Sequence, residues 1–391
     1  MKALRNIIDK IKPTFSHGGK LGFLHSTFDA FETFIFVPAT VTKRGSHIRD
    51  SIDLKRTMTV VIVALLPALL FGMYNVGYQH NLAFGLTKGF WETFIFGFWK
   101  VIPLVVVSYV VGLGIEFVSA QIRGHEVNEG YLVTGMLIPL IMPVDVPLWI
   151  LSLSVIFAVI VGKEVFGGTG MNIWNPALLS RAFVFFAYPS QISGDKIWIE
   201  GLTNGAGVVD GFSGATPMAL AKAGNISAMP SFNDMFLGFI PGSVGETSTL
   251  AILLGAAILI FTGIASWKVM TSVVAGGVSI GLLCNLLAPS PESYLALPFY
   301  NHLVMGGFAF GAVFMATDPV TSAQTEKGKW IYGFLIGAFA IIIRIFNPGY
   351  PEGMMLSILL MNTFAPLIDH NVVQANIKRR LKRATLIYKE Q

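Results

Sequence analysis

Beyond residue 56 the chain alternates between long apolar stretches and shorter polar loops. Ten stretches reach or approach bilayer-crossing length: 57–76, 100–118, 131–143, 147–162, 173–189, 249–265, 269–287, 303–316, 331–346 and 353–369. A hydrocarbon core of about 30 Å needs about 20 helical residues to cross it. The pattern therefore predicts an all-α polytopic membrane protein with about ten transmembrane helices. Two stretches, 131–143 and 303–316, are short for the crossing. Each runs into a Pro/Asp breaker, Met142-Pro143-Val144-Asp145 in one and Thr317-Asp318-Pro319 in the other. Each is also the third of five. Interrupted helices at matching positions mark repeated folds whose broken helices meet near the membrane midplane.

A second echo supports the repeat. Phe166-Gly167-Gly168-Thr169-Gly170-Met171-Asn172-Ile173-Trp174-Asn175-Pro176 opens the fifth stretch, and Phe346-Asn347-Pro348-Gly349-Tyr350-Pro351-Glu352-Gly353 opens the tenth. Both are Gly/Pro-rich starts to a helix. Five crossings per repeat is an odd number, so the two five-helix repeats are expected to be inverted. The boundaries that follow are a cytoplasmic extension at 1–56, a first repeat at 57–189, an outer loop at 190–248, a second repeat at 249–370 and a basic tail at 371–391.

Composition agrees with this reading. Charged residues make up 13% of the chain and hydrophobic residues 53%, whereas a soluble domain carries about 25% charge; mean hydropathy is +0.66. The 41 glycines suit close helix packing in lipid. The lone Cys284 excludes an intramolecular disulfide and an all-Cys metal or iron–sulfur site within this chain. No cleavable signal peptide is visible at the start.

The net charge of +5 is a topology signal rather than a nucleic-acid signal, because the basic residues gather at the chain ends. Lys2, Arg5, Lys10, Lys12, Lys20, Lys43, Arg44, Arg49, Lys55 and Arg56 precede the first stretch, and Lys378, Arg379, Arg380, Lys382, Arg383 and Lys389 follow the last. Both termini are therefore expected in the cytoplasm. Arg123, Lys163, Lys268, Lys327 and Lys329 fall on the same side. The loop 288–302 has no Lys or Arg, and 190–248 has only Lys196 and Lys222, so both are expected outside.

The outer loop holds Asp210-Gly211-Phe212-Ser213-Gly214-Ala215-Thr216. This resembles the Asp-x-x-Ser/Thr-Gly-Ala-Thr/Ser signal at which a flavin transferase esterifies FMN, through its phosphate, onto the last hydroxyl. Small Gly214 and Ala215 leave room for a modifying enzyme, and Ser213 is a competing hydroxyl. The same residues also suit an ordinary Ser/Gly turn capped by Asp210.

Further stretches match one family. They are Val41-Thr42-Lys43-Arg44-Gly45-Ser46-His47-Ile48-Arg49-Asp50 with Asp53-Leu54-Lys55-Arg56, Asn128-Glu129-Gly130-Tyr131-Leu132-Val133-Thr134-Gly135, Gly162-Lys163-Glu164-Val165-Phe166-Gly167-Gly168-Thr169-Gly170, Asn175-Pro176-Ala177-Leu178 and Ala316-Thr317-Asp318-Pro319-Val320-Thr321-Ser322. Together they resemble the NqrB subunits of the sodium-translocating NADH:quinone oxidoreductases over essentially the whole chain. The resemblance implies a multi-subunit redox complex of the bacterial inner membrane, matured by a flavin transferase. It implies covalent FMN on Thr216 and a non-covalent riboflavin at the helix start holding Asn172 and Asn175. It further implies quinone contact near Gly112 and Gly114, and sodium handling by Glu116 and Asp369.

The residues themselves leave alternatives open. Asn175 before Pro176 suits a helix N-cap followed by Pro at the first position. Arg181, within an apolar stretch, needs a partner or a polar cavity, and we group it with the Asn172 site. Glu116, Asp318 and Asp369 lie inside or at the ends of stretches, where carboxylates mark ion routes. Asp318 equally suits a cap before Pro319, and Asp369 an ordinary boundary residue. Glu126 and Glu129 suit solvated acids or caps. Gly112-Leu113-Gly114 suits tight helix packing. The cluster Phe183, Phe185, Phe186 and Tyr188 suits lipid- or helix-facing packing better than a cofactor cavity. No Gly-x-Gly-x-x-Gly follows a strand, so NADH is expected on another subunit.

Two rivals share parts of this pattern. A solute channel or transporter fits the repeat, since fold does not fix cargo, but has no use for the Thr216 signal. The related RnfD subunits of ferredoxin–NAD reductase complexes share the membrane part and the signal. The basic extension of roughly fifty residues favours the quinone reductase.

Overall fold

The computed structural model describes residues 2–16, 19, 21–36, 42–46, 48, 54–124, 130–205, 207–210, 212–347, 349 and 352–390. Glu126 and Glu129 lie outside them. All regular structure among the described residues is helical. Two short helices, α1 (Lys2–Phe15) and α2 (His25–Ile35), precede the first long one. They close on each other through Glu32, which is buried and takes ion pairs from Arg5 and Lys12. Phe31 of α2 meets Phe117 with ring centroids 5.9 Å apart, which docks this extension on a membrane helix.

The first half contains α3 (Leu54–Ala83), α4 (Phe90–Arg123), α5 (Tyr131–Ile141), α6 (Leu148–Gly162) and α7 (Pro176–Ala187). Helices α8 (Pro217–Lys222) and α9 (Phe232–Leu237) lie in the long loop. The second half contains α10 (Thr249–Phe261), α11 (Trp267–Leu286), α12 (Asn301–Val304), α13 (Phe308–Phe310), α14 (Glu326–Phe346) and α15 (Met354–Glu390). A π-helical turn, Gly311–Met315, follows α13. Among the described residues six helices, not ten, are long and apolar enough to cross a membrane: α3, α4, α6 with its one-turn extension to Phe166, α11, α14 and α15. Three more, α5, α7 and α10, are shorter apolar helices. The expected tail is not separate, because α15 runs on through it as one helix.

Glycine lets the long helices touch backbone to backbone. A Cβ on Gly97 of α4 would lie 1.7 Å from the Met73 carbonyl oxygen of α3. One on Gly337 of α14 would lie 1.9 Å from the Val273 carbonyl oxygen of α11. In lipid such close approach supplies the packing that apolar side chains cannot, since the tails are as apolar as they are. In both halves the second helix packs on the fourth and the fourth on the fifth. The first helices, α3 and α10, pack on each other.

Both third elements are interrupted, and each break has its own chemical remedy. Helix α5 stops at Ile141, and the carbonyls of Leu140 and Met142 accept from the backbone N–H groups of Gly245 (2.7 Å) and Val244 (3.3 Å). The other third element breaks at Met305-Gly306-Gly307, with Gly306 at φ 58°. There Arg344 donates to the carbonyls of His302 (2.6 Å) and Met305 (3.1 Å). Irregular backbone at membrane depth persists only where its polar groups are satisfied in this way. The long loop packs down on the bundle through small apolar clusters, one around Met235, Ile240 and Leu297, another around Ile199, Leu202 and Ala83. Lys100 of α4 pairs with Glu200 at 2.5 Å and fixes the loop laterally.

Candidate functional site: two cavities joined by one helix

Thr216 is half-buried at the start of α8, where its hydroxyl accepts from the Ala219 N–H at 3.2 Å. Pro217 follows, as suits the first position of a helix. Gly214 is required by close packing: a Cβ there would lie 2.4 Å from the Asp195 carbonyl oxygen. Ser213 and Asp210 are exposed. Ser213 accepts from the Ala215 N–H at 3.3 Å in a local turn.

Thr216 lines a cavity that it shares with Arg181, Glu246 and Glu352. Arg181, 4% exposed in its side chain, donates through Nη1 to both carboxylate oxygens of Glu246, at 2.8 and 2.9 Å. Its Nη2 meets Glu352 Oε2 at 3.2 Å. An arginine inside a membrane bundle is expensive without such partners. Thr247 also lines the cavity; it is 4% exposed and its hydroxyl has no hydrogen-bond partner. A buried hydroxyl without a partner calls for a hydrogen-bonding group in the cavity, either water or an occupant. These residues fit a tethered, partly polar ring system.

Arg181 thus departs from the sequence expectation, which grouped it with Asn172. Its partners Glu246 and Glu352 were missed. Their one local signal is an acid beside glycine at the approach to an apolar stretch, Gly245-Glu246 and Glu352-Gly353.

A second cavity is lined by Asn172, Asn175, Lys163, Thr169, Asp318 and Phe314. It draws on both halves of the chain. Asn175 serves as N-cap of α7, its Oδ1 accepting from Ala177 N–H at 3.0 Å, while its Nδ2 donates to Asp318 at 3.1 Å. The cap and the cavity-lining role therefore coexist in one side chain. Asn172 donates to the Trp174 carbonyl at 3.0 Å. Asp318 caps the turn after the broken helix, accepting from Val320 N–H and Thr321 Oγ1. The amides, the Thr169 hydroxyl and the Lys163 ammonium supply donors around apolar walls, a set that fits a flat heteroaromatic group.

Lys163 follows α6 directly and its ammonium pairs with Glu116 of α4. Both side chains are buried, at 4% and 5% exposure. The sequence supplied Lys163 as a topology charge and as part of a family-like stretch, with no site role. Here it links the second cavity to the acid expected to handle sodium. Asp369 has a different setting: it accepts from the N–H groups of Gln324 and Thr325 and from the Thr325 hydroxyl, and so ties down the turn before α14. It lines neither cavity.

Gly112 and Gly114 part company. A Cβ at Gly112 would lie 1.9 Å from the Tyr131 ring, so this glycine seats an aromatic side chain. Gly114 has open space and lines an apolar groove between α4 and α6, which ends at Arg123 and Glu164. Gly112→Ala is expected to cost about 1–3 kcal/mol by overpacking, measured as thermal unfolding in detergent. Gly114→Ala, in open space, should be neutral or stabilising by up to about 1 kcal/mol. In the aromatic cluster Phe183 stacks on Phe157 with ring centroids 4.7 Å apart and Phe186 is 71% exposed, and both line an open apolar groove with Trp174.

One helix joins the two cavities. Asn175 caps α7 in the second, and Arg181, six residues on, closes the floor of the first. At about 1.5 Å per residue the separation along the axis is about 9 Å.

Residues 41–378 match the family described as NQR2, RnfD, RnfE. The chain is 48% identical to the NqrB subunit of the Na(+)-translocating NADH-quinone reductase of Ectopseudomonas mendocina, over 97% of this chain and 99% of that protein. It is 47% identical to the corresponding subunit of Chromohalobacter salexigens, over 97% of this chain and 96% of that one. It is 47% identical to that of Azotobacter vinelandii, over 97% and 99%. Those proteins and this one share length as well as sequence, and the chain belongs to the NQR2, RnfD, RnfE family.

Proposed function

We propose that this chain is the flavin-bearing membrane subunit of a sodium-translocating NADH:quinone reductase. The observation that carries the reading is a pair of cavities to which α7 contributes in turn, one lined by Asn172 and by Asn175 at the helix start, the other lined by Thr216 and by Arg181 at the middle of the helix. Thr216 would hold FMN through a phosphoester, and the Asn172/Asn175 cavity would hold riboflavin. Bound there, the two flavins would carry electrons between the outer and cytoplasmic faces, with NADH oxidised on another subunit.

The chain's own residues have distinct tasks in this reading. Asn175 and Asp318 pin the cytoplasmic-side cavity to both halves of the bundle. Arg181, Glu246 and Glu352 form the floor of the outer cavity. Glu116 and Asp318 carry carboxylates of the hard-oxygen kind that sodium takes, held in place by Lys163 for Glu116 and by Asn175, Val320 and Thr321 for Asp318. Asp369 is the third acid of the sodium set, and its carboxylate also ties down the turn before α14. The basic extension and tail support a reading with both termini in the cytoplasm and the Thr216 loop on the periplasmic side. The two halves are read as inverted repeats, supported by the shared packing of second on fourth and fourth on fifth helices.

Mass spectrometry of the Thr216 peptide tests the cofactor assignment. In membranes that contain the flavin transferase, the peptide should carry the mass of FMN less water. An unmodified peptide there rejects the assignment. The groove at Gly114 suits the tail of quinone, its head near Arg123 and Glu164. Gly114→Trp should fill that groove and raise the KM for quinone at least several-fold without loss of thermal stability; an unchanged KM removes the groove from the quinone path.

A further inference from the structure

We infer that the cavity below Thr216 is the seat of the flavin's ring, and that Arg181 is a fixed cation raising the potential of that flavin while Glu246 and Glu352 moderate it. This rests on the reading that Thr216 carries FMN. Thr216 and Arg181 both line the cavity, so a group tethered to the hydroxyl shares that space with the guanidinium. Arginine stays protonated in proteins, and a positive charge beside a flavin favours the electron-rich reduced form.

The surrounding backbone holds the charge in place. Glu246 comes from the loop that repairs the first broken helix, and Glu352 lies two residues before α15. Both reach Gly307, at the second break: a Cβ there would lie 2.4 Å from Glu352 Oε1 and 2.6 Å from Glu246 Oε1. Bare backbone at 307 is therefore what lets the two acids close on one arginine. Arg344 holds that break through the carbonyls of His302 and Met305. The floor thus consists of one guanidinium shared by two carboxylates, so each carboxylate subtracts from the field that the ring would feel. The unpartnered Thr247 hydroxyl, in the same wall, is a ready hydrogen-bond donor for a polar ring edge.

The signs follow. Arg181→Gln should lower the midpoint potential of the flavin on this chain. Glu352→Gln should raise it, and Arg181→Lys should restore much of what Arg181→Gln removes. A tenfold change in the oxidised-to-reduced ratio is expected, about 30 mV for a two-electron couple. The assembled complex is titrated by spectroelectrochemistry, and the transition missing from a Thr216→Ala complex identifies the flavin in question. Fluorescence of the denatured chain on a gel checks attachment separately. A fluorescent chain whose potential is unmoved in both variants, or moves the same way in both, overturns the inference and leaves attachment standing. A non-fluorescent parent chain overturns the attachment itself. If Arg181→Gln does not assemble, Glu352→Gln decides alone: it must raise the potential, and a fall or no change rejects the assignment.

Discussion

Thr216→Ala is expected to abolish flavin fluorescence of the denatured chain, and with it quinone reduction by the complex. The reason is chemical rather than structural. Thr216 caps a short helix, and losing such a cap costs about 1 kcal/mol, well within what a bundle of this size tolerates. The fold, read by detergent thermal unfolding, should persist. Thr216→Ser keeps a hydroxyl and the cap, and should retain the fluorescent band. The competing hydroxyl at Ser213 lies exposed, three residues earlier and away from the cavity lining. Ser213→Ala should leave the band in place. A band that survives Thr216→Ala but disappears in Ser213→Ala would move the attachment to Ser213.

The largest stability effect is expected at the Lys163–Glu116 pair. Both side chains are almost fully buried, and removing one partner of a buried pair leaves an uncompensated charge, which costs about 3–5 kcal/mol. Lys163→Met and Glu116→Leu should each lower thermal stability sharply. The double variant should recover most of the loss, because apolar replacement of a whole buried pair is often neutral or stabilising, by about 1–4 kcal/mol. Stability recovered in the double variant without sodium-stimulated quinone reduction would assign the pair to sodium handling. Recovery of both would make it purely structural. Two silent single variants would mean that the pair is hydrated, contrary to its burial here.

The pair also illustrates how far local sequence carries. Glu116 stood out because a carboxylate in an apolar stretch is costly and invites a role. Lys163 did not, because a lysine after an apolar stretch is the ordinary mark of a cytoplasmic boundary. Forty-seven residues separate them, and no periodicity links positions so far apart. Arg181 shows the same limit at short range. It lies six residues after Asn175, and nearness in sequence suggested a shared site. Six residues on an α-helix turn about 240° around the axis and rise about 9 Å, so the two side chains serve different cavities. Gly112 and Gly114 looked equivalent, yet two residues on a helix differ by about 200°: one faces Tyr131 and the other an open groove.

By itself the sequence determined the class of molecule. Apolar length dictates helices in lipid, breakers at 143 and 319 foretold trouble in the third element of each half, and Lys/Arg placement gave an orientation to test. These properties are written residue by residue and need no partner. Helix lengths were less legible: α5, α7 and α10 are shorter apolar helices, below spanning length. The tertiary structure alone decided where the second break falls, at Met305-Gly306-Gly307 rather than only at Thr317-Asp318-Pro319. It alone brought Arg181, Glu246 and Glu352 together beneath Thr216. The physical reason is that a buried charge is tolerable only where distant segments converge to satisfy it, and convergence is a property of packing that no single stretch of chain contains.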